Sequence, residues 1–169
     1  EAVAIAAADV TGSQTIVFAS NLAGQALNLN VVALNESLTF DMTRANGLTL
    51  TGGTITLAGG TTQVFNVGSG YSATISSVIA GTGALTKAGA GELTLSNSNT
   101  NAGTTTVSGG TLVVDGSTSS ATTVGTGATL AGIGTLGGDV TVQNGGTLSP
   151  GSSGAGTLTV NGNLTLDFG

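Results

Sequence analysis

Apolar and polar residues alternate along this chain in short bursts. Thr15-Ile-Val-Phe18, Ser37-Leu-Thr-Phe40, Leu48-Thr-Leu50, Ile55-Thr-Leu57, Val64-Phe-Asn-Val67, Leu93-Thr-Leu95 and Leu164-Thr-Leu166 all read this way, as does the longer run 26–34. A period of two marks a half-buried β-strand, which puts Leu48 and Leu50 on one face and Thr49 on the other. The outward Thr is β-branched and stiff, which suits a strand. Between the bursts stand Asn46-Gly47, Gly52-Gly53 and Gly59-Gly60, which supply positive φ at little steric cost and so predict corners. Strands of a β-sandwich would be spaced more widely. Three short strands per coil of a β-solenoid fit better.

The second half repeats a phrase. Val124-Gly-Thr-Gly-Ala-Thr-Leu130 returns as Val142-Gln-Asn-Gly-Gly-Thr-Leu148 and again as Val160-Asn-Gly-Asn-Leu-Thr-Leu166. The interval from Val124 to Val142 equals that from Val142 to Val160, and the three Leu keep the same step. Val107-Ser-Gly-Gly-Thr-Leu112 is one residue shorter and keeps Leu112 in phase with Leu130. Apolar residues returning at a fixed phase are the signature of stacked coils. A period of about 18–22 residues predicts roughly eight coils. Residues 71–83 read as one coil running into a turn, where a less regular half meets a more regular one. No linker interrupts the chain, so residues 1–169 are expected to form one solenoid domain. Residues 1–10 supply a first strand or cap, or a short Ala-rich helix.

Composition narrows the function classes. Gly and Thr each occur 30 times, charged residues make up 6% and aromatics 3%, and there is no Cys, His or Trp. The chain is too apolar and too poor in charge to be disordered. Its net charge of −6, eight acids against Arg44 and Lys87, repels phosphate backbones and offers no basic patch for anionic lipid, so nucleic acid is not an expected partner. No apolar run approaches the ~20 residues of a spanning helix, and the aromatic girdles of a membrane barrel are missing, so no membrane insertion by this segment is expected. Without Cys there are no disulfides or thiolate metal sites.

Residues 83–114 are similar to the autotransporter-associated β-strand repeat of bacterial type V secreted passengers. The resemblance rests on Leu85-Thr-Lys-Ala-Gly-Ala-Gly91, Leu93-Thr-Leu-Ser96, the Asn-Thr-rich turn 99–103, and Thr105-Thr-Val-Ser-Gly-Gly-Thr-Leu112. Gly146-Thr-Leu-Ser-Pro-Gly151 with Gly156-Thr-Leu-Thr-Val160 also resembles passenger sequence. Asn101 stands where the repeat usually has an aromatic. Residues 1–70 match only as generic β-helix sequence. The resemblance implies a right-handed parallel β-helix, export, and an extracellular or bacterial-surface location. It implies no reaction.

The acids Glu1, Asp9, Glu36, Asp41, Glu92, Asp115, Asp139 and Asp167 are scattered, whereas acid–base work on a glycosidic bond needs two groups held at one bond. The spacing of Asp115 and Asp139 would bring that pair onto neighbouring coils. Without His there is no common nucleophilic triad. Gly137-Gly138-Asp139 is only a fragment of a calcium-binding repeat. Gly-Thr-Gly at 81–83 and 125–127 lacks the Lys-Ser/Thr of a phosphate loop. Outward Thr invites an ice-binding reading, but most stand alone between two Leu, as strand propensity explains. The expected protein is non-catalytic and needs no cofactor or metal.

The ends of a solenoid show unpaired backbone and a slice of core. Val3 and Ile5 at one end, with Leu158, Val160, Leu164, Leu166 and Phe168 at the other, are the candidate residues for end-to-end assembly, either between copies or with the rest of a longer passenger. The expected role is a stalk or adhesin segment serving adhesion or biofilm. A filament subunit and a carbohydrate-binding or carbohydrate-cleaving β-helix facing surface glycans are the alternatives.

Overall fold

The alternation resolves into twenty-two short strands and one 3-10 turn, Ser20–Leu22, across residues 14–168, the part of the chain described by the structure, a computed structural model. Coil 1 consists of β1 (Gln14–Val17), β2 (Ala26–Asn28) and β3 (Val32–Leu34), coil 2 of β4 (Leu38–Asp41), β5 (Leu48–Thr51) and β6 (Thr54–Leu57). Coil 3 holds β7 (Thr62–Asn66), β8 (Ser72–Ile75) and β9 (Val78–Gly81), and coil 4 holds β10 (Ala84–Ala88), β11 (Glu92–Leu95) and β12 (Ser98–Asn99). Coil 5 follows with β13 (Thr105–Val107), β14 (Thr111–Val114) and β15 (Ser117–Thr118), coil 6 with β16 (Thr122–Val124), β17 (Thr129–Gly132) and β18 (Thr135–Leu136). Coil 7 is β19 (Val140–Val142), β20 (Thr147–Pro150) and β21 (Thr159–Val160), and β22 (Leu164–Leu166) begins an eighth. The expected eight coils are therefore seven complete ones and one further strand among the described residues.

Each strand stacks in parallel on its counterpart one coil away. The first strands form face 1, an eight-stranded sheet, and the second strands form face 2, with seven. Face 3 is split into β3-β6-β9 and β12-β15-β18-β21. The split falls at Asn99, whose buried side chain takes over from the backbone. Its Oδ1 accepts the Ile79 N–H at 2.8 Å, and its Nδ2 donates to the Asn97 and Ser117 carbonyls at 3.0 and 3.2 Å.

Inward positions line up into columns. On face 1 one column runs Ile16, Phe40, Phe65, Lys87, Val107, Val124, Val142, Leu166. Phe40 stacks on Phe65 with centroids 4.7 Å apart, and Phe18 stands 6.4 Å from Phe40. On face 2 Leu93, Leu112, Leu130 and Leu148 form a comparable column. Leu48 and Leu50 are buried as the alternation predicts, as are Ile55 and Leu57, and Leu93 and Leu95.

The structure corrects one reading of the repeat and one of the N-terminal half. Leu112, Leu130 and Leu148 do stack, and Val124 stacks on Val142. The third copy slips. Val160 pairs with Leu136 on face 3, and Leu166 pairs with Val142 rather than sitting over Leu148. The cause is the excursion 151–158 between β20 and β21, closed at its base by an antiparallel bridge between Gly132 and Gly151. Because of it, coil 7 must run from Val140 to Leu164 before face 1 is regained, a longer path than the one from Thr122 to Val140 in coil 6. The run 26–34 is likewise two strands. Asn30 takes φ 51 and its N–H bonds Asn28 Oδ1 at 2.8 Å, a local turn that the alternation masks.

Candidate functional site

The residues singled out for assembly fall into two groups. Val3 and Ile5 lie outside the described residues. Leu158, Val160, Leu164, Leu166 and Phe168 meet at the C-terminal end of the solenoid. Leu164 and Leu166 extend the inward columns of Val140 and Val142, and Val160 extends that of Leu136. Leu158 and Val160 pack partly against the core. Leu164 is 45% and Leu166 43% exposed, and Phe168, beyond the strand, 86%. Among the described residues β22 pairs with β19 alone.

Glu1 and Asp9 lie outside the described residues, and three of the other acids bond backbone amides near turns. Asp115 follows β14 and its Oδ1 accepts the Ile133 N–H of the next coil at 3.3 Å. Asp139 precedes β19 and its Oδ1 accepts the N–H of Asn163, also one coil on, at 2.8 Å. The two stand at different corners, so their spacing along the chain does not make them a pair. Asp41 Oδ1 accepts the Thr43 N–H at 3.0 Å. Among the described residues no three His, Cys, Asp or Glu side chains converge on a point that would hold a metal ion.

The outward threonines form a rank that single strands do not reveal. Thr15, Thr39, Val64, Thr86, Thr106, Thr123, Thr141 and Thr165 follow one another along face 1. It is one rank and not two, because the positions two earlier in the chain include Ala84 and Ala121.

Lys87 is the side chain that composition alone misplaces. It is wholly buried, in the column between Phe65 and Val107. Its Nζ donates to three backbone carbonyls, those of Ala88 at 2.7 Å, Gly89 at 2.9 Å and Gly109 at 3.1 Å. Burial lowers its pKa to about 8. The signal was present in the phase of Leu85-Thr86-Lys87, where Lys shares the inward parity of Leu. Asn101, in the position usually aromatic, is also buried and donates from Nδ2 to the Gly103 carbonyl at 3.3 Å.

Buried polar side chains that satisfy backbone groups at sharp corners, set in a continuous parallel ladder, define a rod-forming solenoid. Residues 85–114, which contain Lys87, Asn99 and Asn101, match the Passenger-associated-transport-repeat family. This stretch is an autotransporter passenger repeat. Over 79 residues the chain is 47% identical to the adhesin BmaC autotransporter of Brucella suis biovar 1 (strain 1330), a match covering 47% of this chain and 2% of that protein. The chain thus corresponds to a small fraction of the relative's length. No solved structure matches it.

Proposed function

We propose that this chain is a non-catalytic segment of a secreted autotransporter passenger, exposed on or outside the bacterial surface, where it acts as a stalk or as part of an adhesin. The observation that carries this reading is the passenger repeat at 85–114 lying within an unbroken eight-stranded ladder. A solenoid of this kind gains about 4.8 Å of length per coil, each coil stabilised by its neighbours. The similarity to a protein named as an adhesin supports the role in adhesion. The test is an in-register deletion of coils 5 and 6 from the full passenger displayed on cells. A stalk keeps surface display and adhesion with a shorter reach. Loss of adhesion with display intact would place the binding surface in these coils, and any catalytic turnover of a surface glycan by the passenger would overturn the non-catalytic reading.

A second reading, end-to-end assembly, is favoured by the exposed Leu164, Leu166 and Phe168. Electron microscopy of the purified chain tests it. Filaments that Leu166→Asp abolishes support head-to-tail stacking, and short particles about 40 Å long count against it.

A further inference from the structure

The corner from face 1 to face 2 changes length along the rod. It spans five residues in coil 3 (67–71), three in coil 4 (89–91) and coil 5 (108–110), and four in coil 6 (125–128) and coil 7 (143–146). The longer corners close on themselves. The Tyr71 N–H donates to the Gly68 carbonyl at 3.0 Å, that of Ala128 to Gly125 at 3.0 Å, and that of Gly146 to Gln143 at 2.8 Å. In a three-residue corner the amide three positions on already belongs to face 2. Glu92 N–H donates to the Tyr71 carbonyl at 2.9 Å, and Leu112 lies within β14. Among the described residues no backbone N–H donates to the carbonyl of Gly89 or of Gly109.

Both of these carbonyls, on half-buried glycines, are met instead by Lys87. An ammonium group has three hydrogens and no acceptor, and three carbonyls from two successive coils receive them. No titratable side chain occurs in β7 or β13, the strands on either side of β10, and Glu92 and Tyr71 near the corner are exposed. Carbonyls alone therefore surround the charge.

We propose that Lys87 is a positioning residue on which the two short corners depend: its ammonium group gathers the corner carbonyls of coils 4 and 5 onto one point and so sets their register where the rod passes from wide coils to narrow ones. The lysine stands in for two turn amides that a three-residue corner lacks. Its place within Leu85-Thr-Lys-Ala-Gly-Ala-Gly91 ties it to the passenger repeat, yet the proposal does not rest on an adhesive role.

Lys87→Met separates filling from tying. Met occupies the column with an apolar side chain of similar reach and removes the donor. If Lys87 only fills space, the unfolding midpoint stays or rises. The tie requires a lower midpoint, with amide exchange at 89–92 and 108–112 faster by about tenfold or more while coil 7 keeps its protection. Leu130→Ala, a cavity in coil 6, is the control: its loosening should centre on coil 6 and spare these corners. Nitrogen NMR of the unaltered protein is independent of whether the variant folds. The Lys87 Nζ hydrogens should exchange slowly and couple across their hydrogen bonds to the Ala88, Gly89 and Gly109 carbonyls. Rapid exchange without such coupling, or wild-type corner protection in Lys87→Met, would overturn the proposal.

Discussion

Coils 2 and 3 are wide and coils 5 and 6 are narrow. On face 1 the same column is regained at Phe40, Phe65 and Lys87 across the wide pair, but at Val107, Val124 and Val142 across the narrow pair, which are closer together in the chain. In this column the wide coils hold Phe40 and Phe65, and the narrow ones hold Val107 and Val124 in the corresponding places. Interiors are packed to crystal-like density, so a ring in the column holds the three faces apart and longer corners must span the gap. Valine lets the faces draw together and the corners shorten. Outside coil 7, whose length comes from the excursion 151–158, coil length thus follows the cross-section. Lys87 stands at the change, with Phe65 on one side and Val107 on the other.

Removing a ring is the strongest way to break this contrast. Phe40→Ala takes out the middle of the three-ring stack and is expected to cost about 3–5 kcal/mol, including the lost ring contacts. Val124→Ala in a narrow coil should cost clearly less, and urea denaturation of the two variants checks the order. Equal losses would mean that the wide coils tolerate collapse.

The next largest effect concerns pH. Burial lowers the Lys87 pKa to about 8 from 10.5. Below pH 8 both folded and unfolded chains hold the proton, and the cost of burying the charge is fully present. Between pH 8 and 10.5 the unfolded chain keeps a proton that the folded chain has released, so stability rises with pH, by at most about 3–4 kcal/mol. Denaturation of the native chain and of Lys87→Met across this range isolates the lysine, because every other titrating group is common to both. The native chain should gain stability relative to the variant as pH rises.

Corner geometry gives a smaller, graded pair. Gly132 sits at φ +125, and a Cβ there would lie 2.1 Å from the Val114 carbonyl oxygen of the coil before. Gly127, at φ +75, has open space around it. Gly132→Ala should cost about 2–3 kcal/mol and Gly127→Ala about 1 kcal/mol, the latter from backbone strain alone. Thermal unfolding of both variants measures the gap.

The smallest effect expected is from duplicating residues 122–139, one whole narrow coil. The chain should fold with its stability unchanged or slightly raised and lengthen by about 4.8 Å. X-ray scattering would report the length. The same block placed between residues 61 and 62, among the wide coils, should disturb the Phe stack and lower the unfolding midpoint.

Much of this fold was legible in the chain. Leu48-Thr-Leu50 and Ile55-Thr-Leu57 announce strands and their inward faces, and Gly52-Gly53 marks the corner between them. The inward phase of Leu164 and Leu166 was readable from the same parity. The passenger repeat was readable because it holds its Gly and Asn residues at fixed corners. Lys87 was hidden by the habit of placing lysine at the surface, although its parity with Leu85 pointed inward. Asn99 was hidden because its partner, the Ile79 amide, lies a whole coil away.

By itself the sequence determined the strand period, the three strands per coil and the corners, since these depend on near neighbours in the chain. Only the tertiary structure decided which residue stands above which. Val160 and Leu166 keep the phase of the phrase yet join other columns, because hydrogen-bond register is set between strands a full coil apart while the corner between them can lengthen at little cost. The same freedom placed a lysine between Phe65 and Val107, where three carbonyls from two coils could close on it.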